Sequence, residues 1–103
     1  MPIILNPLQD AVYPARTISY TGTAGVTATW QRGANAVQVM CTTAAYVIVG
    51  EAVTATASNG IPVAANVPVT LSVPAGGGKP WRVSAIQIAS GGDVYCKPLG
   101  NSM

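Results

Sequence analysis

The sequence predicts an all-β protein: a single antiparallel β-sandwich over residues 15–103, preceded by an extended arm over residues 1–14. Three observations predict it. A strand, turn and return strand occur twice, as Val37-Gln38-Val39 with Tyr46-Val47 and as Ile86-Gln87-Ile88 with Tyr95-Cys96, the tyrosine standing eight residues after the glutamine in each copy. Short alternating segments recur at regular intervals between turn residues, the pattern of sandwiches and barrels. No window carries a sustained helical repeat with caps.

The arm comes first along the chain. Pro2, Pro7 and Pro14 hold it extended and out of any central strand, and Ile3, Ile4, Leu5, Leu8, Val12 and Tyr13 stand between them. Such a segment either docks on its own domain as an edge strand or lid, or reaches a neighbouring subunit, with main-chain pairing for affinity and apolar anchors. The second use makes Pro2, Ile3, Ile4, Leu5, Pro7 and Leu8 a protein interface, and deletion of residues 2–13 should then abolish partner binding and leave the fold intact.

Strands follow at short spacing. Arg16 to Tyr20 alternates, Thr21 to Gly25 turns, and Val26 to Trp30 resumes. After a turn at Arg32 to Asn35, the first copy of the repeat predicts a hairpin of Ala36 to Thr42 and Ala45 to Val49, closed by Gly50. Glu51 to Gly60 reads as a loop open to function, with a short strand within Ala52 to Ala57. Ile61 to Ala65 and Val67 to Val73 come next, and Val67, Val69, Leu71 and Val73 share one face. Pro62 and Pro68 place the starts of these strands where a missing N–H costs least. Pro74 to Pro80 is a wide turn before Trp81 to Ala89, whose broken alternation predicts a bulge or burial on both faces, and the second hairpin ends the domain.

Composition narrows the function. A chain of 103 residues supports one domain and one core. Half its residues are hydrophobic and 8% are charged, against roughly 25% in an average soluble domain, so little charge keeps it apart from partners. The net charge of +2 comes from scattered Arg16, Arg32, Lys79, Arg82 and Lys97, without the basic stripe that nucleic-acid binding needs. No apolar run approaches the roughly 18 residues of a membrane span, and the first residues lack the basic start and long apolar centre of a signal peptide. The expectation is no nucleic acid, no membrane and no export by the usual route. Cys41 and Cys96 are expected as free buried thiols rather than a bridge.

Catalytic chemistry finds little to work with. The chain has no histidine, the side chain most used for proton transfer near neutral pH. Asp10, Glu51 and Asp93 are its three acids, and each reads as solvated or as part of a turn rather than as half of a glycosidase pair. Neither cysteine has a base to form its thiolate, and two cysteines without histidine are too few for a closed zinc site. Gly76-Gly77-Gly78-Lys79-Pro80 lacks the spaced first glycine and the Ser or Thr of a phosphate loop. No enzyme, cofactor or metal is expected. Trp30, Trp81, Tyr13, Tyr20, Tyr46 and Tyr95 are read as core, with Tyr46 and Tyr95 as matched framework, ahead of a sugar-stacking platform.

Short motifs add a resemblance. Val37 to Val39 lead to a return strand ending in glycine, Tyr46 to Gly50, and then to Thr54-Ala55-Thr56; Ile61 to Ala64 and Val73 to Gly76 precede the last unit, Ile86 to Tyr95. In this order residues 34–98 resemble small structural proteins of tailed bacteriophages. The resemblance implies a jelly-roll-like sandwich on a virion, a capsid cement or decoration protein assembled in the host cytoplasm. It would bind the outside of the major capsid protein as a homo-oligomer, a trimer favoured. The arm has no counterpart in the pattern. Two alternatives stand beside it: another virion part, such as a head-tail adaptor, tail component or fibre base, and a carbohydrate-binding β-sandwich module.

Overall fold

The computed structural model describes residues 4–7, 13–31, 34–73 and 80–102. Pro2, Ile3 and Leu8 of the predicted interface, Asp10, Lys79 and residues 74–79 of the wide turn lie outside the described residues. Nine strands run in order: β1 (Ile4–Pro7), β2 (Arg16–Tyr20), β3 (Gly25–Val26), β4 (Ala36–Cys41), β5 (Ala45–Gly50), β6 (Ile61–Val63), β7 (Val69–Ser72), β8 (Arg82–Gln87) and β9 (Gly92–Ser102). The described residues contain no helix.

Two antiparallel sheets form. In one, β9 and β4 are central, β7 is an edge beyond β4, and β1 and β2 both pair with β9. In the other the order is β3, β8, β5, β6. The pairings nest: β5 with β6, β4 with β7, β3 with β8 and β2 with β9. That is one long hairpin bent between β5 and β6; the ladders of β4 with β9 and β5 with β8 join its arms into sheets, and β1 adds to β9.

Alternation decides which side chains meet between the sheets. Val37, Val39 and Cys41 of β4 and Val94 and Cys96 of β9 enter one core with Ala45 and Val47 of β5 and Val83 and Ala85 of β8. Fully burying side chains of this size contributes about 1.5–3 kcal/mol each for the valines. Chain ends of the core are closed by aromatics, Trp30 and Trp81 at one end and Tyr20 at the other.

The predicted hairpins are corrected. The strands exist at the expected positions, but β4 and β5 belong to different sheets, as do β8 and β9, so each unit is an arch from one sheet to the other. For the first unit turn chemistry accounts for this: Thr42-Thr43-Ala44 has no Gly or Asn for the primed turns that return a strand beside its predecessor. Four residues, 88–91, separate the second pair. The two units interlock instead, the first strand of each pairing with the second strand of the other. Registers differ as well, with Cys41 opposite Val94 but Ala45 opposite Gln87. Val37 and Val39 therefore face the core while Ile86 and Ile88 lie on the face opposite Val83 and Ala85. The matched glutamines also part, Gln38 outward and Gln87 on the core-facing side of β8.

Other expectations divide. Val26 to Trp30 is a strand only at Gly25–Val26 and then a single bridge between Trp30 and Trp81. Ala52 to Ala57 forms no strand. β8 is buried on both faces, Ser84 as fully as Val83 and Ala85. β9 continues far past Tyr95, through Pro98, to Ser102. A proline is tolerated there because the ladder on one side is interrupted: β2 pairing ends at Cys96 and β1 pairing begins at Leu99.

Candidate functional site

The arm residues that are described form β1. Ile4 pairs with Ser102, Leu5 with Asn101, Asn6 with Gly100 and Pro7 with Leu99. Within one chain the arm is thus an edge strand on β9, on the same side as β2. Beyond it the chain is fastened to the domain: Tyr13 packs against the core, Lys97 Nζ donates to the Tyr13 carbonyl at 2.9 Å, and Trp30 Nε1 donates to the Pro14 carbonyl at 2.8 Å.

A groove crosses the outer face of the β9 sheet. Its volume is about 360 Å³, and Thr17, Gln38, Met40, Pro68, Tyr95 and Lys97 line it. Thr17, Tyr95 and Met40 stand directly opposite one another on β2, β9 and β4, and Lys97, Gln38 and Thr70 make the next row on β9, β4 and β7. Tyr95 is 45% exposed. This corrects the framework reading of the two matched tyrosines, because Tyr46 also faces away from the core, between buried Ala45 and Val47. The signal was legible: Tyr95 and Lys97 alternate with Val94 and Cys96, so one pair or the other had to face solvent.

Trp30 and Trp81 are each 2% exposed and Tyr20 is 1% exposed, as core residues should be. The sugar platform once open to the tryptophans is closed. A second concavity of about 420 Å³, lined by Ile48, Asn59, Ile61 and Leu71 among others, opens on the side of β6 and β7. Exposed apolar side chains also include Val26, Ile61, Val67 and Ile88.

The loop of residues 51–60 is bound down rather than free. Ala55 N–H donates to Ser84 Oγ at 2.8 Å, Ser84 Oγ donates to the Gly25 carbonyl at 2.9 Å, and Arg82 Nε donates to the Val53 carbonyl at 3.0 Å. These bonds draw the loop over the outer face of β8 and bury Ala55 and Ser84. Asn59 closes its tip, accepting from the Thr56 N–H at 2.7 Å and donating to the Thr54 carbonyl at 3.0 Å.

The groups considered for chemistry serve the frame. Asp93 Oδ1 accepts from Ser19 Oγ at 2.7 Å across the β2 and β9 ladder. Glu51 is exposed at the start of the loop. Cys41 and Cys96 are free and buried, with Cys96 pushed up to about 12 by burial and by neighbouring Cys41. Burial also raises Cys41, against a hydrogen bond with Tyr20 that lowers it. Thiols held protonated in this way are poor nucleophiles and poor ligands. Among the described residues no three His, Cys, Asp or Glu side chains gather as a metal site.

Comparison with family models, with curated proteins and with solved structures finds no match.

Proposed function

We propose that this chain is a non-enzymatic virion structural protein of the cement or decoration type, bound to the outside of a phage capsid and bridging subunits of the major capsid protein as a homo-oligomer, a trimer favoured. The observation that carries the reading is the nested pairing of β2 to β9, a long hairpin rolled into two sheets. Such nesting supports a jelly-roll-like reading of the two sheets, an architecture common to viral capsid and lectin domains. Fold alone is analogy, and the surface adds to it. Val26, Ile61, Val67, Ile88 and Tyr95 are exposed on a chain in which 8% of residues are charged. Covering such surface at a capsid is worth about 25 cal/mol per Å² buried, and repetition over many copies holds the shell against internal pressure.

The test is cosedimentation of the purified chain with assembled capsids lacking it, in parallel with a chain lacking residues 2–8. The full chain should pellet with the capsids and the truncated chain should stay in solution, with matching circular dichroism. A full chain left in the supernatant sinks the reading, and equal binding by the truncated chain removes the arm from the interface.

A second reading, a carbohydrate-binding module, is favoured by the groove around Tyr95. An exposed aromatic face flanked by the amide of Gln38 and the hydroxyl of Thr17 suits a sugar ring. A glycan array on which the chain binds and a Tyr95→Ala chain does not would establish it; a blank array removes it.

A further inference from the structure

We infer that Asn59-Gly60 is a site of spontaneous self-modification that the fold holds in check: the pair is set up to close into a succinimide with loss of ammonia, and hydrogen bonds within residues 54–60 occupy both reacting groups until the loop opens. Of the five asparagines in the chain, only Asn59 is followed by glycine.

Chemistry is the first argument. The Gly60 amide nitrogen attacks Asn59 Cγ to close a five-membered ring; the bond from Cγ to Nδ2 breaks, and Nδ2 leaves as ammonia with the Gly60 proton. Water then opens the ring, on the Cγ side to give aspartate or at the main-chain carbonyl to give isoaspartate. A side chain on the following residue shields the attacking nitrogen, and glycine has none. The other asparagines are poorer candidates: Asn6 precedes a proline without an N–H, Asn66 precedes β-branched Val67, and Asn35 and Asn101 precede Ala36 and Ser102.

The fold requires both members of the pair. β6 begins at Ile61, opposite Val47 of β5, and a Cβ on residue 60 would stand 2.6 Å from Tyr46 Cβ. Only glycine passes β5 that closely. Asn59 closes the loop with both ends of its amide, Oδ1 accepting from the Thr56 N–H at 2.7 Å and Nδ2 donating to the Thr54 carbonyl at 3.0 Å. An aspartate could make only the first of these bonds.

The same bonds restrain the reaction. The Gly60 N–H donates to the Thr56 carbonyl at 3.1 Å, and Thr56 Oγ1 accepts from the N–H groups of Ser58 and Asn59, each at 3.2 Å. Nucleophile and leaving group are thus both engaged on residues 54 and 56, and ring closure needs three hydrogen bonds released together. Thr56 to Asn59 are exposed, so water already reaches the site and bonding, not burial, supplies the restraint. Once formed, the product cannot remake the latch: aspartate sets a second oxygen against the Thr54 carbonyl, and isoaspartate adds a main-chain methylene just before the glycine that passes Tyr46. Asn59 and Ile61 both line the concavity beside β6 and β7, so conversion puts a negative charge at its rim and loosens the start of β6.

The test follows ammonia loss by peptide mapping and mass spectrometry of the full chain, kept in mildly alkaline buffer either folded or in urea. In urea Asn59 should convert ahead of Asn35 and Asn66, and in the folded chain it should convert at least about tenfold more slowly. Thr56→Ala removes the hydroxyl that holds Ser58 and Asn59 and leaves the sheets alone, so with unchanged circular dichroism its Asn59 should convert several-fold faster than in the native sequence. Asn59→Asp, standing for the aspartate product, should quicken hydrogen exchange at Ser58 and Gly60. Equal rates in the folded and urea-treated chain, conversion in urea spread evenly over the three asparagines, or a folded Thr56→Ala chain no faster than the native sequence overturns the inference. Unaltered exchange in Asn59→Asp overturns the loosening of the loop.

Discussion

Trp30 and Trp81 stack across one end of the core, ring centroids 4.7 Å apart and planes inclined by 27°, and their main chains exchange two hydrogen bonds, at 2.8 and 3.1 Å. Each indole N–H is also satisfied, by the carbonyls of Pro14 and Gln31. Arg16 lies 5.3 Å from the Trp30 ring centroid, where the ring face attracts its charge. The pair joins the chain before β4 to the chain before β8 and so closes the two sheets at that end. In Trp81→Ala the buried ring and its stack are lost, and about 3–5 kcal/mol of stability should go with them. Urea unfolding followed by far-ultraviolet circular dichroism measures it; a loss below about 1 kcal/mol would mean the rings are not a core contact.

The opposite end is locked by hydroxyls around Gly92. Tyr20 OH donates to the Thr43 carbonyl at 2.6 Å, Thr43 Oγ1 donates to the Ser90 carbonyl at 2.9 Å, and the Asp93 N–H donates to Thr42 Oγ1 at 2.9 Å. A Cβ on Gly92 would stand 2.6 Å from both threonine Oγ1 atoms, whereas one on Gly22 meets only Gln87 Nε2 at 3.7 Å. Gly92→Ala should therefore destabilise by about 1–3 kcal/mol, with Gly22→Ala much milder. Equal melting temperatures for the two variants would refute the crowding at the arches.

Stability should fall in alkali because of the thiols. Cys96 keeps its proton in the fold until about 12, while the ordinary value is 9.0. Below pH 9 both states are protonated and the thiol adds no pH dependence. Between about 9 and 12 the unfolded chain ionises first and binds fewer protons, so folding stability drops with rising pH. Urea midpoints should decline over this window in the native sequence and less steeply in Cys96→Ala. Rapid labelling of both thiols in the folded protein at neutral pH would contradict the burial.

Ser84 tests the strapped loop. In Ser84→Ala the Ala55 N–H and the Gly25 carbonyl lose their partner, a cost of about 1–3 kcal/mol for buried groups left unpaired. Hydrogen exchange should quicken at Ala55 and its neighbours while Val37, Val39 and Val94 stay protected. Unchanged exchange at Ala55 would show that the loop is held by something else.

Much of the frame was legible in the sequence, because period-2 burial leaves a direct trace. Val37, Val39, Val94 and Cys96 are core for the reason their alternation gives, and Ser84 and Ala85 explain the broken alternation of β8. What the sequence does not carry is the partner of each strand. Local pattern made Gln38 and Gln87 equivalent, yet a difference in register puts one outside and the other on the core side. Tyr95 was assigned to the frame through the same equivalence, and the groove around it was missed. An edge strand docked on its own domain was one of the two readings of the arm, but its partner, residues 99–102 of β9, lies at the far end of the chain and leaves no local trace.

Electron cryomicroscopy of virions containing the chain tests the central claim most directly. The account predicts density for the two-sheet domain on the outer surface of the head, repeated at fixed symmetry positions and contacting more than one capsid subunit. Density confined to the tail, or particles from which the chain is missing, would contradict it.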